Sequence, residues 1–418
     1  MILSKAKEPM NRFLKASLLV LSALILGYAG LGHVLGQTTD DKSYRSLTVY
    51  SEVLQKIQQD YVDTPNMHLV TAGSLHGLLE SLDAQSSYLT PREYSEYKQK
   101  LAKPGLGETG VNLSKRFGYI IVVSVLPDSP AAKAGVRSAD IFESIAGFTT
   151  RDMSVGQAMN LLSGDPGTGV KASVIRRGHA EPQEMDLVRE KVPAPRMTGQ
   201  KIDPDILALR LPTFTTGRAD DVRERLARAE KEGIHKLILD VRDCGRGDVA
   251  EAIALARLFV GSGNVASLQG QTVSRQDFAA DPAKVVWKGP VSVLISSTTS
   301  GAAEVFAAAI SANKRGDVVG ERTFGLASEQ KLITLDDGSA IFLTVANYLN
   351  AGGRPILEEG VVPTEAVQAA VDSTDSESAD DDSGGAAKEA PAPRPLSPED
   401  PALKKALELF KAPAKKAA

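Results

Sequence analysis

From about Pro193 to Val371 the chain alternates short apolar runs with helical stretches, and no other feature restricts its fold as tightly. The runs Ile206–Leu211, Lys236–Val241 and Val291–Ser296 read as strands, and Arg218–Glu232, Val249–Phe259 and Ala302–Ala312 read as helices. Alternation of this kind predicts βαβ units around a sheet. Upstream, from about Gly105 to Glu190, the texture is different. Short β-rich runs at Tyr119–Val125, Ile141–Ile145 and Val170–Ile175 surround one helical stretch, Ser154–Ser163, which predicts a compact mixed domain over 105–190. Over 40–100 the apolar residues Leu47, Val53, Leu54, Ile57 and then Leu75, Leu78, Leu79, Leu82 recur at helical spacing, predicting a small helical module.

The two ends differ from these three regions. Residues 1–12 carry Lys5, Lys7 and Arg12, and Leu14 to Leu35 is almost wholly apolar. A run of about 20 such residues spans a bilayer, and a basic start before an apolar block also fits a secretory signal. Segment 1–37 is therefore read as a signal anchor or a signal peptide. The anchor is favoured because Gly32-His33-Val34 is a poor cleavage site, and the remainder then faces the periplasm or another extracytoplasmic space. If the segment is cleaved, the protein is secreted. Residues 372–396 are rich in Asp, Ser, Gly, Ala and Pro and predict a disordered linker. A short amphipathic helix follows over 397–411, through Leu403, Ala406, Leu407 and Phe410, free to dock on the body or on a partner, or to remain a solvated tail.

Composition removes several classes of function. With 48 basic and 52 acidic residues among 418, the net charge of -4 offers no positive field for phosphates, so nucleic acid is not an expected partner. A single cysteine, Cys244, and five scattered histidines predict no disulfide, no metal site and no cofactor.

Three motifs, in order, carry a resemblance. Ser81-Leu82-Asp83-Ala84-Gln85-Ser86-Ser87-Tyr88-Leu89 is similar to SLDPHSSYL, and Tyr119–Val136 with Asp140-Ile141 is PDZ-like. Val318–Gly325, Asp337-Gly338-Ser339 and Gly360–Pro363 resemble VVGExTFGKG, DGS and GIxPD. Together they resemble the C-terminal processing, or tail-specific, serine peptidases over about residues 45–371. The resemblance implies an α+β and α/β multidomain chain: membrane segment, helical module, PDZ domain over 105–190, and an α/β peptidase core of the crotonase-related type over 193–371.

What the resemblance implies for catalysis is a serine activated by a lysine that is kept neutral by desolvation. The serine opens SASE and the lysine stands in FGKG. Here Ser300-Gly301-Ala302-Ala303-Glu304 places Gly301 at the serine position, and Phe324-Gly325-Leu326-Ala327 places Leu326 at the lysine position. Their separation of 25 residues is the family's own, so the dyad is replaced rather than displaced. Ser300 is a weak rescue candidate, since one step at a helix start turns a side chain by about 100°; it reads more simply as a helix N-cap. Lys331, at an odd offset from Leu326, faces the wrong side of a strand, and Arg322 cannot act as a base. Gln330 and Glu304 match family residues and read as remnants of the site. In the oxyanion loop, Asp240–Gly247 against DLRxNPGG, Arg246 replaces a glycine whose freedom in φ helps aim a backbone N–H, beside Gly247 and with Ala302 opposite. Cys244 reads as a semi-buried structural cysteine.

The PDZ resemblance implies a groove that takes a polypeptide C-terminus as an added strand. Thr109, Gly110 and Val111 form the carboxylate loop, leading to Leu113, and Ala158 and Leu162 contribute to the pocket. Glu108 is expected to weaken carboxylate capture. The sequence is thus read as a pseudopeptidase that binds protein C-termini or unfolded segments as adaptor or regulator. The competing reading is an active endopeptidase with an atypical site, processing or degrading envelope proteins. A homo-oligomer and an active peptidase partner are both left open.

Overall fold

The computed structural model describes residues 41–368 and 396–411, apart from Pro104, Asp152 and Ala180, together with Leu21 and Ser22. The expected segment 1–37 and linker 372–396 lie outside them, save Leu21, Ser22 and Leu396. Among the described residues no helix is long and apolar enough to cross a membrane. The chain divides into two units, Met1–Thr71 and Ala72–Ala418. In the first, α1 (Asp41–Asp60) exposes Leu47 and Val53. Helix α2 (Met67–Glu80) begins there and runs into the second, where β1 (Ser87–Leu89) and α3 (Pro91–Leu101) follow. Helix α3 starts sharply because Thr90 and Glu93 form a capping box ahead of Pro91.

A five-stranded antiparallel sheet comes next: β2 (Val111–Arg116), β3 (Tyr119–Val125), β4 (Ile141–Ile145), β6 (Gly169–Ile175) and β7 (Gln183–Val188), in that order, with β5 (Phe148–Thr149) attached to β4. Helices α4 (Pro130–Lys133) and α5 (Val155–Leu162) flank it. Ser154 caps α5, its hydroxyl accepting from the Gln157 amide. Strand β2 is an edge strand of this sheet.

The remaining residues build a sheet of six strands. In chain order these are β8 (Thr198–Asp203), β9 (Ile206–Arg210), β10 (Lys236–Asp240), β13 (Val291–Ile295), β14 (Asp317–Gly320) and β17 (Glu365–Ala366), lying side by side as β17-β14-β13-β10-β9-β8. All neighbours are parallel except β8 with β9. Runs such as Leu237-Ile238-Leu239 are apolar at every position because both faces are covered. Leu237, Leu239, Val293 and Ile295 share a core cluster with residues of α6 (Arg218–Lys231), α7 (Val249–Arg257) and α8 (Ala302–Ala312). Ile206, Ile238, Leu294 and Val319 cluster instead with Ala402, Leu403 and Ala406 of α9 (Pro401–Lys411). Of the fates left open for the C-terminal helix, the structure adopts docking on the body, with an Arg242–Asp400 ion pair at 2.7 Å beside it.

One sheet escapes the sequence reading. Strands β11 (Asn264–Gln269), β12 (Gln276–Ala279), β15 (Ser328–Thr334) and β16 (Ala340–Leu349) join β1 in a second, antiparallel sheet. It brings the 81–89 motif next to the 337–339 motif: Leu89 pairs with Ala340, and the Ser86 hydroxyl accepts from the Thr344 amide.

Candidate active site

The strand-to-helix turn between β13 and α8 carries the expected nucleophile position. Gly301 is the N-cap of α8 with φ 62° and ψ -123°, a backbone that side-chain-bearing residues rarely adopt. A Cβ built on it would meet nothing within 4 Å, so the position faces open space. Glu304, one turn on, is fully buried. Its carboxylate accepts from the amides of Gly301 (2.8 Å), Gly325 (2.6 Å) and Leu326 (2.8 Å) and from the Thr323 hydroxyl (2.5 Å). Gly301 and Leu326 donate to the same oxygen, Oε2, and this bond pair joins the two positions across their 25-residue separation. Burial pushes the Glu304 carboxyl above the ordinary carboxylate range, with the four donors opposing that push. Glu304 therefore organises the frame of the site, more than a remnant.

Ser300 is not the helix N-cap; Gly301 is. Ser300 precedes the helix, its amide donating to the Cys244 carbonyl at 2.9 Å, so a helical step does not describe its direction. Its hydroxyl, in a side chain 1 % exposed, accepts from Asn112 Nδ2 at 3.1 Å. No lysine lies among its hydrogen-bond partners.

The strand-parity argument for Lys331 does not hold either. Strand β15 begins only at Ser328, after an irregular segment containing Arg322 and Leu326, and a register shift between Glu329 and Gln330 breaks the alternation. Lys331 is nonetheless exposed, as are Arg322 and Gln330; Leu326 is half-buried. Gln330 has no side-chain hydrogen bond among the described residues.

In the oxyanion loop the conformational demand falls on Gly247. Its φ is 132°, and a Cβ there would lie 2.4–2.5 Å from the Phe214 backbone, which pairs with this loop. Arg246 has no positive φ, so the glycine it replaces is not required for the backbone path seen here. Ala302 is buried at the first turn of α8. Cys244 is completely buried rather than semi-buried, and desolvation pushes its thiol up to about 12. It is no nucleophile at neutral pH.

Sequence reasoning missed the side chains that reach this site from β2 and β3. Asn112 Nδ2 donates to the Gly245 carbonyl as well as to Ser300, both at 3.1 Å, and a Cβ on Gly245 would strike Ser124, Asn112 and Ser300. Arg116 lies over the Phe324 ring and donates to its carbonyl at 3.1 Å. Arg246 pairs with Glu108 at 2.7 Å and donates to the Val111 carbonyl at 3.0 Å. These partners are 133 to 208 residues apart, and no local pattern announces them.

Of the expected groove residues, Val111, Leu113, Ala158 and Leu162 are at most 4 % exposed and belong to the closed core of their domain. They line no open pocket, because alternation along β2 and the inner stripe of α5 turn them inward. Met159 and Val155 of α5 are partly exposed. In the loop before β2, Gly110 has φ 86°, and a Cβ there would lie 2.2 Å from Ser129. Thr109 is 1 % exposed, and its hydroxyl has no partner. Glu108 is neutralised by Arg246, so its charge does not act alone on that loop. No group of three or more metal-ligating side chains is present among the described residues.

Residues 205–367 match peptidase family S41, and residues 121–176 match the PDZ domain. The carboxy-terminal processing protease CtpA of Bacillus subtilis is 28 % identical over 362 residues, spanning 85 % of this chain and 77 % of that protein. The carboxy-terminal-processing protease of Bartonella bacilliformis is 26 % identical over 361 residues, spanning 85 % of this chain and 80 % of that one. Among solved structures, the photosystem II D1 C-terminal processing protease superposes with a TM-score of 0.63 at 23 % identity, covering 77 % of this chain and 92 % of that one, which speaks to the fold.

Proposed function

We propose that this chain, whose residues 205–367 match peptidase family S41 and which is similar to carboxy-terminal processing proteases, has kept that family's frame and given up its chemistry, acting by binding polypeptide C-termini or unfolded segments as an adaptor or regulator. The observation that carries this reading is the pair Gly301 and Leu326. Glu304 holds both positions together through one oxygen, yet neither residue has a group able to attack a carbonyl or accept a proton. A nucleophile and base act as a unit, and loss of either removes most of the rate enhancement; here both are absent. Nearby groups do not restore the pair, since Ser300 is sealed under Asn112 and Cys244 is buried with a raised pKa.

The PDZ domain supports the binding half of the proposal, because strand addition to the β2 edge needs only backbone groups and a receptive loop. Location in the envelope rests on the basic start and apolar run of residues 1–37. The test is recovery of a complex. The full chain, mixed with an unstructured polypeptide ending in apolar residues, is expected to retain it at full length on size-exclusion chromatography. Release of shortened polypeptide, or no retention, would contradict the proposal.

A further inference from the structure

The loop that opens β2 is completed by a residue from the peptidase core. Arg246 stands where the resemblance expects a glycine, and its guanidinium leaves the core to reach the loop Glu108-Thr109-Gly110-Val111. Nη1 pairs with Glu108 Oε1 at 2.7 Å, and Nη2 donates to the Val111 carbonyl at 3.0 Å. Bond to the carbonyl fixes the cation at the loop, and bond to the carboxylate shows what it holds there. The pair is partly open to solvent, with side chains 25 % and 29 % exposed. The same loop holds further donors. The Thr109 hydroxyl is buried without a partner, and the amides of Thr109 and Gly110 donate to no protein atom among the described residues. A buried hydroxyl left unpaired costs free energy comparable to a lost hydrogen bond, so its presence beside two unpaired amides of the same loop points to an acceptor from outside.

We propose that Arg246 is the cation that reads the terminal carboxylate of a bound polypeptide, and that Glu108 occupies that cation as an internal stand-in when no ligand is bound. The inference rests on the reading of the PDZ domain as a C-terminus receptor and adds to it the residue that supplies the charge. An incoming carboxylate takes the Arg246 contact from Glu108 and accepts from the Thr109 and Gly110 amides and the Thr109 hydroxyl. Arginine suits the exchange because its planar fork carries five donors, of which two are used here, and it stays protonated throughout the physiological range. The binding site is then composite. The PDZ domain supplies strand edge and amides, while the core supplies the charge from the loop whose family role is oxyanion stabilisation.

The experiment uses the full chain and three heptapeptides ending in leucine, valine or alanine, each as free acid and as C-terminal amide, titrated by fluorescence anisotropy. For the wild type the acids bind and the amides bind at least tenfold more weakly. Arg246→Gln is expected to weaken the acids by tenfold or more and to leave the amides within twofold. Glu108→Gln removes the stand-in and tightens the acids, by more at 20 mM than at 500 mM salt. Arg246→Lys, which keeps the charge and loses the fork, falls between wild type and Arg246→Gln. Equal weakening of acids and amides by Arg246→Gln, or no weakening of the acids, overturns the assignment to Arg246 while leaving the C-terminus reading in place. Failure of all acids to bind the wild type, or equal binding of acids and amides, overturns that reading and the inference with it.

Discussion

Two sites of this protein, the elbow at Gly301 with Leu326 and the loop Glu108–Val111, lie on either side of the 240–247 loop, whose Arg246 pairs with Glu108 138 residues away, and they lack opposite things. Around Gly301 and Leu326 the frame is complete. Glu304 is saturated with donors, Gly247 is locked against Phe214, and the elbow faces open space, yet no reactive group stands in it. Around Glu108–Val111 the reverse holds. Among the described residues a hydroxyl and two amides there lack partners, and Arg246, the cation proposed to complete the loop, is paired with Glu108. Saturated hydrogen bonds make a rigid scaffold, whereas unsatisfied ones mark where a ligand is still missing. Under the proposed function, the first site keeps its frame without a reactive pair at Gly301 and Leu326, and the second is where an acceptor from outside would complete the hydrogen bonding.

The largest expected effect tests whether any thiol chemistry hides beside the first site. With its pKa pushed up to about 12, Cys244 in the native protein at pH 7.5 should react with iodoacetamide on the order of a thousandfold slower than a free cysteine. Mass spectrometry of the labelled protein checks this, and labelling at a free-cysteine rate would show an accessible, reactive thiol beside the site. Next comes the rigidity of the frame. Glu304→Gln replaces two accepting oxygens by one oxygen and an amide that cannot accept, leaving buried donors unpaired, and should destabilise the protein by about 2–5 kcal/mol in denaturant titration. A value under about 1 kcal/mol would show that the frame does not depend on that carboxylate.

The proposed loss of chemistry can also be probed by restoring it. Gly301→Ser with Leu326→Lys is expected to regain only slow turnover, because Arg246 is still drawn towards the PDZ loop. Adding Arg246→Gly should raise the rate by about 10- to 100-fold. Full recovery by the double variant alone would show the oxyanion loop already competent. The smallest effect concerns the elbow. Gly301→Ala should cost about 1–3 kcal/mol from its φ of 62° alone, since nothing crowds the added methyl. Gly247→Ala should cost more, having both an unfavourable φ and Phe214 in the way. A reversed order would contradict the picture of a locked loop facing an open elbow.

The parts of this account that were legible in the sequence are the local ones. Leu237-Ile238-Leu239 and the alanine-rich 302–312 run reveal a two-sided sheet and a buried helix because apolar residues leave them no polar face. Gly301 and Leu326 were legible because motif spacing survives substitution. The antiparallel sheet of β1, β11, β12, β15 and β16 was not, since its strands carry polar residues, Gln276 and Lys331 exposed and Asn347 half-buried, and β1 and β11 reach β16 only over long separations. Asn112 on Ser300 and Arg246 on Glu108 were beyond reach for the same reason. A side chain that acts through tertiary contact has no local period. Val111 and Leu113 of β2 were assigned to the carboxylate loop and the strand after it, and Ala158 and Leu162 of α5 to the pocket, because core and groove share one apolar pattern and only burial separates them.

The most direct test of the central claim is a turnover measurement on the full wild-type chain, with an unstructured protein ending in apolar residues as substrate and intact mass as the readout. The account predicts that the substrate keeps its full mass over a day at equimolar enzyme. Cleavage that scales with protein concentration, survives repurification and disappears in Ser300→Ala would contradict it.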